Sequence, residues 1–228
     1  MPVAGYLCTV KLSGTSTAYT GEGATLVSGT TYRINTAAKR VLDPTAAIVV
    51  KDAGTPLAAD AFTVDYLFGT VTLDSAPGGA VTVDANYFPM WAVAEGNAVS
   101  ISCARDELDS TIYGNTTHEF TLGLGSASGD IKSFDVQTTD LDTGGGTTLK
   151  VQDVFNGSGP SNGANALLEV YLGSAAALSY FRSWVVLPGL DLEAQVAGLV
   201  GATVKWRSTT LEAASRDERV SFGFGTSP

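Results

Sequence analysis

The clearest indication of the fold is the stretch at residues 178–187, which reads LSYFRSWVVL. Successive side chains of a β-strand point to opposite faces of the sheet, so Tyr180 and Trp184 share one face while Phe181 and Val185 share the other. Both faces are partly apolar, which is typical of a strand buried on both sides. We expect one face to pack in a core and the other in a subunit interface.

The same alternation recurs along the chain in short stretches. Val81, Val83, Ala85 and Tyr87 fall on one face of a single strand, directly after the turn cluster DSAPGG at 74–79. Short strands separated by such turns favour an all-β sandwich or barrel. The predicted strands are Tyr6–Ser13, Thr31–Asn35, Ile48–Lys51, Phe62–Tyr66, Val71–Leu73, Val81–Tyr87, Val99–Arg105, His118–Leu124, Ile131–Gln137, Leu167–Leu172, Leu178–Leu187, Asp191–Val196, Thr203–Ser208 and Val220–Phe224.

Three segments depart from this pattern. Residues 37–40 are predicted to form one helical turn, and Leu149–Phe155 the one short helix. The glycine-rich run Gly123–Gly129 is predicted to be a turn between two strands. Between residues 138 and 166 the pattern dissolves into glycine-rich and serine-rich sequence, and so long a loop inside a compact domain is usually functional or disordered.

Charge and composition narrow the possible functions. The chain has 228 residues, 23 acids and 13 lysines or arginines, for a net charge of −10. Proteins that grip phosphates do so with clusters of Lys and Arg, and the densest basic pair here is Lys39-Arg40. The sequence therefore argues against a nucleic-acid binder, while plain solubility remains one explanation of the acidity.

The two cysteines and the lengths of the apolar runs indicate whether the chain is secreted or membrane-bound. Cys8 and Cys103 each sit in an alternating apolar run, so we expect buried free thiols, although a disulfide stays open. The amino-terminal residues have neither a basic region nor a long apolar region, and no apolar run reaches the length of a membrane span. We therefore expect no secretory signal and no membrane partner.

Catalytic and ligand-binding patterns are missing from the sequence. His118 is the only histidine and is expected to be a sheet residue, because no nucleophile motif accompanies it. A calcium-loop pattern begins at Asp140 but has no Glu at its twelfth position. The acids Asp106, Glu107 and Asp109 are expected in one solvated loop, not across a cleft. The sequence thus predicts no enzyme activity, no metal and no cofactor.

Several motifs, taken in order, resemble the major tail tube proteins of siphophages, whose tails are long and non-contractile. They are SCARDELDSTIYGN at 102–115, HEF at 118–120, SASGDI at 126–131, YFRSWVVLPG at 180–189, QVAGLV at 195–200 and DERVSFG at 217–223. The motifs cover about residues 96–228 together with the first strand. The resemblance implies an all-β subunit of the tail-tube type, a β-sandwich or barrel with one short helix.

A second resemblance concerns residues of about 20–90, which are similar to a small β module found in some tail proteins. The similar runs are AKRVLDP at 38–44 and VDYLFGTV at 64–71. The resemblance implies a tail tube domain at 1–20 and 90–228 with a β-sandwich-like module inserted at 21–89. Such a module is expected outside the tube and replaceable, over Gly23–Tyr87, by a short linker.

The resemblance also implies a function and partners. Six subunits form a ring around a closed barrel, and rings stack into a tube that delivers DNA without binding it specifically. The expected partners are further copies of the chain and the tape-measure, tail terminator and distal tail proteins. Assembly takes place in the host cytoplasm, and the product belongs to the virion tail.

Specific residues are assigned to two roles within such a tube. A negative lumen would repel phosphate, and Glu119 and Glu169 are the candidate lumen acids, with placement on the outer surface as the alternative. The segment from about 138 to 166 is the candidate stacking arm. Its candidate residues are Asp140, Asp142, Gly144, Gly145, Gly146, Asn156, Gly157 and Asn162.

An alternative function class uses the aromatic residues. A β-sandwich on a virion or cell surface that binds a carbohydrate or a host protein would present exposed aromatic rings. Its candidate contact residues are Tyr113, Trp184 and Trp206. This class predicts a soluble monomer with an aromatic groove, whereas the tube subunit is expected to self-associate.

The stacking arm can be tested by deletion. Removing Thr143–Asn162 is expected to block tube growth and to leave a folded monomer, because the glycine-rich segment becomes ordered only against a partner. Electron microscopy and thermal unfolding measure the two effects. Normal tubes from the deletion variant would refute the arm.

Overall fold

The fold is nearly all-β, as predicted. The computed structural model describes residues 9–93, 96–109, 120–134, 140–142, 149–150, 166–172, 179–193, 201–209, 211–212, 219–220 and 222–226. Strands dominate these residues, and no helix reaches seven residues within them. Two short 3-10 turns occur, Ala37–Lys39 and Ala59–Ala61, and the first coincides with the predicted helical turn at 37–40.

The described residues form twenty strands. In chain order they are β1 (Thr9–Ser13), β2 (Thr17–Ser28), β3 (Thr31–Ile34), β4 (Val49–Asp52), β5 (Thr55–Pro56), β6 (Phe62–Asp65), β7 (Thr70–Leu73), β8 (Val81–Tyr87), β9 (Met90–Val93), β10 (Gly96–Val99), β11 (Ser102–Asp109), β12 (Phe120–Phe134), β13 (Asp140–Asp142), β14 (Leu149–Lys150), β15 (Ala166–Leu172), β16 (Ser179–Glu193), β17 (Gly201–Ser208), β18 (Leu211–Glu212), β19 (Arg219–Val220) and β20 (Phe222–Thr226).

Eleven strands form the main sheet, in the order β10-β12-β17-β16-β15-β1-β9-β13-β14, with β11 on β12 and β20 on β16. All of its recorded strand pairs are antiparallel. The sheet curls until β10 approaches β1. Its concave face encloses one apolar core of Val10, Leu12, Ala127, Ile131, Leu168, Val170, Phe181, Val185, Leu187, Val204 and Trp206.

Seven strands form a second sheet, in the order β5-β4-β8-β2-β3-β7-β6. This sheet encloses its own apolar core. Ile34, Leu42, Val50 and Val83 have no exposed surface in this core. The long strand β2 pairs first with β8 and then with β3, so it links the two halves of the sheet.

The second sheet leaves and rejoins the main sheet at neighbouring strands. β1 and β9 pair antiparallel, with Ser13 opposite Met90, and every strand of the second sheet lies between them in sequence. The backbone N–H of Gly14 also donates to the Pro89 carbonyl. We call residues 17–87 the module.

Several predicted boundaries were wrong, because glycine and proline were interpreted as breaks in the strands. The two predicted strands at 178–187 and 191–196 are one strand, β16, whose register shifts around Pro188. The predicted turn Gly123–Gly129 lies inside β12. A Cβ atom at Gly129 would lie 1.9 Å from the Ser100 carbonyl oxygen, so this glycine permits a close approach and not a turn.

Two further segments differ from the predictions. Leu149–Lys150, the start of the predicted helix, is strand β14, which pairs with β13; the rest of that helix lies outside the described residues. Residues 17–28 form β2, where the sequence analysis predicted no strand. Gly21, with φ of +66°, lies where the register of β2 against β8 shifts. In sequence, such a glycine resembles a break between strands, so β2 was not predicted.

Two glycines with nearly equal backbone angles allow a matched test of the module. Gly69 has φ of +63° and its Cβ position lies 2.6 Å from backbone atoms of Arg40, whereas Gly21 has φ of +66° and open space. Gly21→Ala should cost about 1–2 kcal/mol of unfolding free energy. Gly69→Ala should cost about 2 kcal/mol more, because the Arg40 backbone must also move.

Urea unfolding of the two variants measures this difference. Equal destabilisation by Gly69→Ala and Gly21→Ala would show that the approach of the Arg40 backbone contributes nothing.

Candidate functional site

The second face of β16 is buried against the module. Trp184 is 1% exposed, and it packs with Leu167 of β15 and with Val41 and Leu67 of the module. Phe181 and Val185, on the opposite face, belong to the core of the main sheet. Both faces of the strand are therefore buried, as predicted, but the second cover comes from the same chain and not from another subunit.

An ion pair is buried beside this contact. Arg182 Nε donates to Glu169 Oε2 at 2.5 Å, and the two residues are only 5% and 1% exposed. The Nη1 atom of Arg182 donates to the Leu67 carbonyl oxygen of the module. Lys11 Nζ lies 3.4 Å from the other Glu169 oxygen. The Arg182 guanidinium thus joins the main sheet to the module.

Strand register explains how these charges meet. Lys11 lies opposite Glu169 in the β1–β15 pair, and Glu169 lies opposite Arg182 in the β15–β16 pair. Directly opposed residues of neighbouring strands share a face and are close enough to interact. Burial, together with the neighbouring Glu169 carboxylate, raises the pKa of the Tyr171 phenol, so Tyr171 stays neutral beside this row.

Phe68 forms a second link between the module and the main sheet. Asp65 Oδ1 accepts the backbone N–H groups of Leu67 and Phe68, which shapes the turn that presents the ring. A Cβ atom added at Gly223 would lie 2.8 Å from the ring, and one at Gly225 would lie 2.6 Å from it. Only glycine therefore fits at these two positions of β20 without a shift.

The alternation FGFG in β20 matches this arrangement. The rings of Phe222 and Phe224 lie 6.1 and 5.2 Å from that of Phe181, centroid to centroid. Gly223 and Gly225 lie against Phe68. β20 thus contacts the core of the main sheet through Phe222 and the module through its two glycines, while Phe224 is 62% exposed. We call the contacts of Arg182 and Phe68 the joint.

Polar side chains add to the attachment near the crossing points of the chain. Ser16 Oγ donates to Asp43 Oδ2 of the module at 2.5 Å. Within the main sheet, Ser13 Oγ at the end of β1 accepts the backbone N–H of Leu167 at 2.9 Å. Replacing Gly23–Tyr87 with a linker would uncover Trp184 and remove the Leu67 carbonyl from Arg182. The joint therefore argues against the expectation that the module is freely replaceable.

A different part of the main sheet projects away from its core. β11 pairs with β12 from Ser102 opposite Ser128 to Asp109 opposite Phe120, whereas β17 joins β12 only from Ser128 onward. Among the described strands, residues 120–127 of β12 have β11 as their only neighbour. The side chains of residues 102–107 are all exposed, on both faces of β11, whereas Ala127 on β12 is buried in the core of the main sheet. We call β11 with residues 120–128 the ribbon.

The ribbon corrects two predictions. Cys103 is a free thiol, as expected, but it is exposed, because none of the described residues covers it; Cys8 lies outside the described residues. Asp106 and Glu107 are solvated, as expected, but they belong to a strand and not to a loop.

The outer face of the main sheet continues beyond the module as a charged surface. Val204, Trp206 and Ile131 point into the core, so their strand neighbours point outward. We call these outward residues the charged face: Asp130, Lys132, Asp191, Lys205 and Arg207. Lys205 Nζ lies 2.8 Å from Asp191 Oδ2, and this contact raises the pKa of the exposed lysine.

The predicted lumen and arm residues are only partly described. Glu169 is buried and paired with Arg182 and Lys11, which argues against a lumen position, whereas Glu119 lies outside the described residues. Asp140 and Asp142 belong to β13, which pairs with β9 and β14, so this part of the predicted loose arm is strand. Outside the described residues lie Gly144, Gly145, Gly146, Asn156, Gly157 and Asn162.

The aromatic residues of the alternative function do not form a described groove. Trp184 and Trp206 are each 1% exposed and belong to separate apolar clusters, so they are not available as surface contacts. Burial of these large rings contributes more to folding than exposure would. Tyr113 and His118 lie outside the described residues.

Neither sequence similarity nor a cluster of ligand-type side chains assigns a function to the chain. No family model matches the chain, and no curated protein matches it. Within the described ranges, no group of three or more His, Cys, Asp and Glu residues could hold a metal ion. Among the helices described, none is long and apolar enough to cross a membrane.

The joint can be tested by removing one or both of its charges. Arg182→Met leaves Glu169 buried with only the more distant Lys11, so it should cost about 3–5 kcal/mol of unfolding free energy. Arg182→Met combined with Glu169→Met should recover most of that loss, because no buried charge is then left unpaired and Lys11, whose side chain is 29% exposed, can be hydrated. Urea unfolding measures both values, and the coupling follows from the double-mutant cycle.

Asp191→Asn, which breaks the exposed pair with Lys205, serves as the control and should leave the unfolding midpoint almost unchanged. A double variant no more stable than Arg182→Met alone would contradict the account of the joint.

Proposed function

We propose that this chain is a structural subunit of a siphophage tail tube. Six copies form a ring, the rings stack, and DNA passes through the tube without specific binding. The observation that supports this most is the ribbon, whose strand β11 is exposed on both faces over residues 102–107 in the single subunit.

An isolated ribbon of this kind favours association. Two-stranded hairpins are at best marginally stable in water, and an uncovered strand edge pairs readily with another chain. β11 presents such an edge along eight residues, because its only described partner is β12. Neighbouring copies in a ring would cover the ribbon, and a head-to-tail contact that closes gives each copy the same environment.

The resemblance and the ribbon involve the same residues. The tail-tube-like motifs at 102–115 and 126–131 overlap both strands of the ribbon. The joint also supports an assembly role, because a subunit whose two sheets are held in one arrangement repeats the same geometry in every copy. The proposed partners are the tape-measure, tail terminator and distal tail proteins, and the proposed location is the virion tail.

The charge balance remains compatible with a negative lumen. Residues 96–228 contain 15 acids and 8 bases, an excess of seven. Setting aside the buried pair of Glu169 and Arg182 removes one charge of each sign, so the excess is unchanged. Glu119 stays a candidate lumen residue, and Glu169 does not. An acidic wall would keep DNA sliding, because it offers phosphate no fixed cation.

The ribbon can be broken without disturbing either core. Ala104 is exposed and lies opposite Ser126. Ala104→Pro removes a backbone N–H, so it weakens either the ribbon or the pairing of its free edge. We expect loss of sedimenting assemblies, while the unfolding midpoint of the subunit falls by only a few degrees.

Ala104→Thr is the matched control, because threonine is favoured in strands and keeps the N–H group. Sedimentation velocity over a range of concentrations measures assembly. Wild-type protein that stays monomeric at every concentration, or an Ala104→Pro variant that assembles like wild type, would contradict the proposal.

A further inference from the structure

We propose that the ribbon of one copy docks on the charged face of the next copy. This inference rests on the proposed function and names the two surfaces that meet between neighbouring subunits. Two observations support the inference. The ribbon and the charged face have opposite charge, and strand β12 contributes residues to both surfaces.

The ribbon is the acidic partner. Its residues, 102–109 and 120–128, contain three acids, Asp106, Glu107 and Asp109, and one base, Arg105. The side chains of Asp106 and Glu107 are exposed. In a chain with a net charge of −10, copies repel one another unless a local positive surface receives the acids.

The charged face provides such a positive surface. It has three bases, Lys132, Lys205 and Arg207, and two acids, Asp130 and Asp191. Lys205 is paired with Asp191, whereas neither Lys132 nor Arg207 contacts a carboxylate among the described residues. Elsewhere among the described residues, Lys11, Lys39, Lys51 and Arg182 have carboxylate partners, whereas Arg33 and Arg40 of the module do not. The charged face therefore holds two exposed cations that are available for a partner.

The path of β12 makes the contact intermolecular. The strand is continuous from Phe120 to Phe134, and the ribbon occupies its first part while Asp130 and Lys132 lie in its second part. The ribbon cannot fold back on the charged face of its own subunit unless β12 breaks. A contact between different surfaces of two copies is head-to-tail, which is the kind that generates rings.

Another copy fits this face better than duplex DNA does. DNA binding relies on clustered bases that neutralise several phosphates, and the acids Asp130 and Asp191 on the same face would repel phosphate. An acidic protein strand with an adjacent base, such as Arg105 beside Asp106, can match both signs. Complementary charge at such an interface sets register and excludes wrong partners.

Charge reversal with rescue tests this contact. Lys132→Glu with Arg207→Glu places acids opposite acids, and Asp106→Lys with Glu107→Lys places bases opposite bases. Each pair should raise the concentration at which assembly begins by at least about tenfold, since like charges at an interface cost more than about 1.4 kcal/mol. All four substitutions together should restore assembly to within about threefold of wild type.

Two controls isolate the effect of position. Arg33→Glu with Lys51→Glu makes the same change of net charge on the module and should leave the threshold within about twofold of wild type. The thermal midpoint of every variant is measured first. If a reversal variant fails to fold, Lys132→Gln with Arg207→Gln replaces it, with an expected rise of about threefold.

The outcomes separate this inference from the proposed function. Wild-type protein that never assembles overturns both. Normal assembly by the two charge-reversal variants overturns the docking contact and leaves the tube proposal standing. The same holds if the variant with all four substitutions assembles as poorly as the two double variants. The wild type is also tested for binding of a duplex oligonucleotide. If it binds, and if Lys132→Glu with Arg207→Glu abolishes this binding but leaves assembly unaffected, the charged face is assigned to DNA and the docking contact is overturned.

Discussion

Arg182 and Glu169 hold the two sheets in one arrangement because neither charge is stable in that position alone. Their side chains are 5% and 1% exposed, and the guanidinium also binds the Leu67 carbonyl of the module. Moving the module would leave a buried cation without part of its hydrogen bonding, which is far more costly than losing a surface ion pair. The packing of Phe68 against Gly223 and of Trp184 against Leu67 depends on that arrangement.

Strand alternation predicted a large part of the fold, because the period of two is a property of each strand alone. It placed Phe181 and Trp184 on opposite buried faces of β16, and both assignments hold. It did not predict what covers the second face, since that depends on how distant segments meet. Gly129 misled the prediction because a glycine that permits a close backbone approach is indistinguishable, in sequence, from one in a turn.

The candidate site was less predictable for a related reason. Glu169 was placed on the correct strand, but its partner Arg182 lies on the next strand, and the β15–β16 register that pairs them cannot be inferred from either strand alone. The sequence did contain a signal for this ion pair, because each of the two largely apolar predicted strands carries one charged residue, Glu169 or Arg182. Buried charges require partners, so two such residues predict each other better than either predicts an open lumen.

The proposed tube subunit requires a fixed joint and an exposed ribbon that neighbouring copies cover, and image analysis of the purified chain tests this proposal most directly. The account predicts end-on class averages with sixfold symmetry and side views of stacked rings in electron micrographs, formed without any other protein. Particles that remain single subunits at high concentration, or rings of a different symmetry, would contradict it.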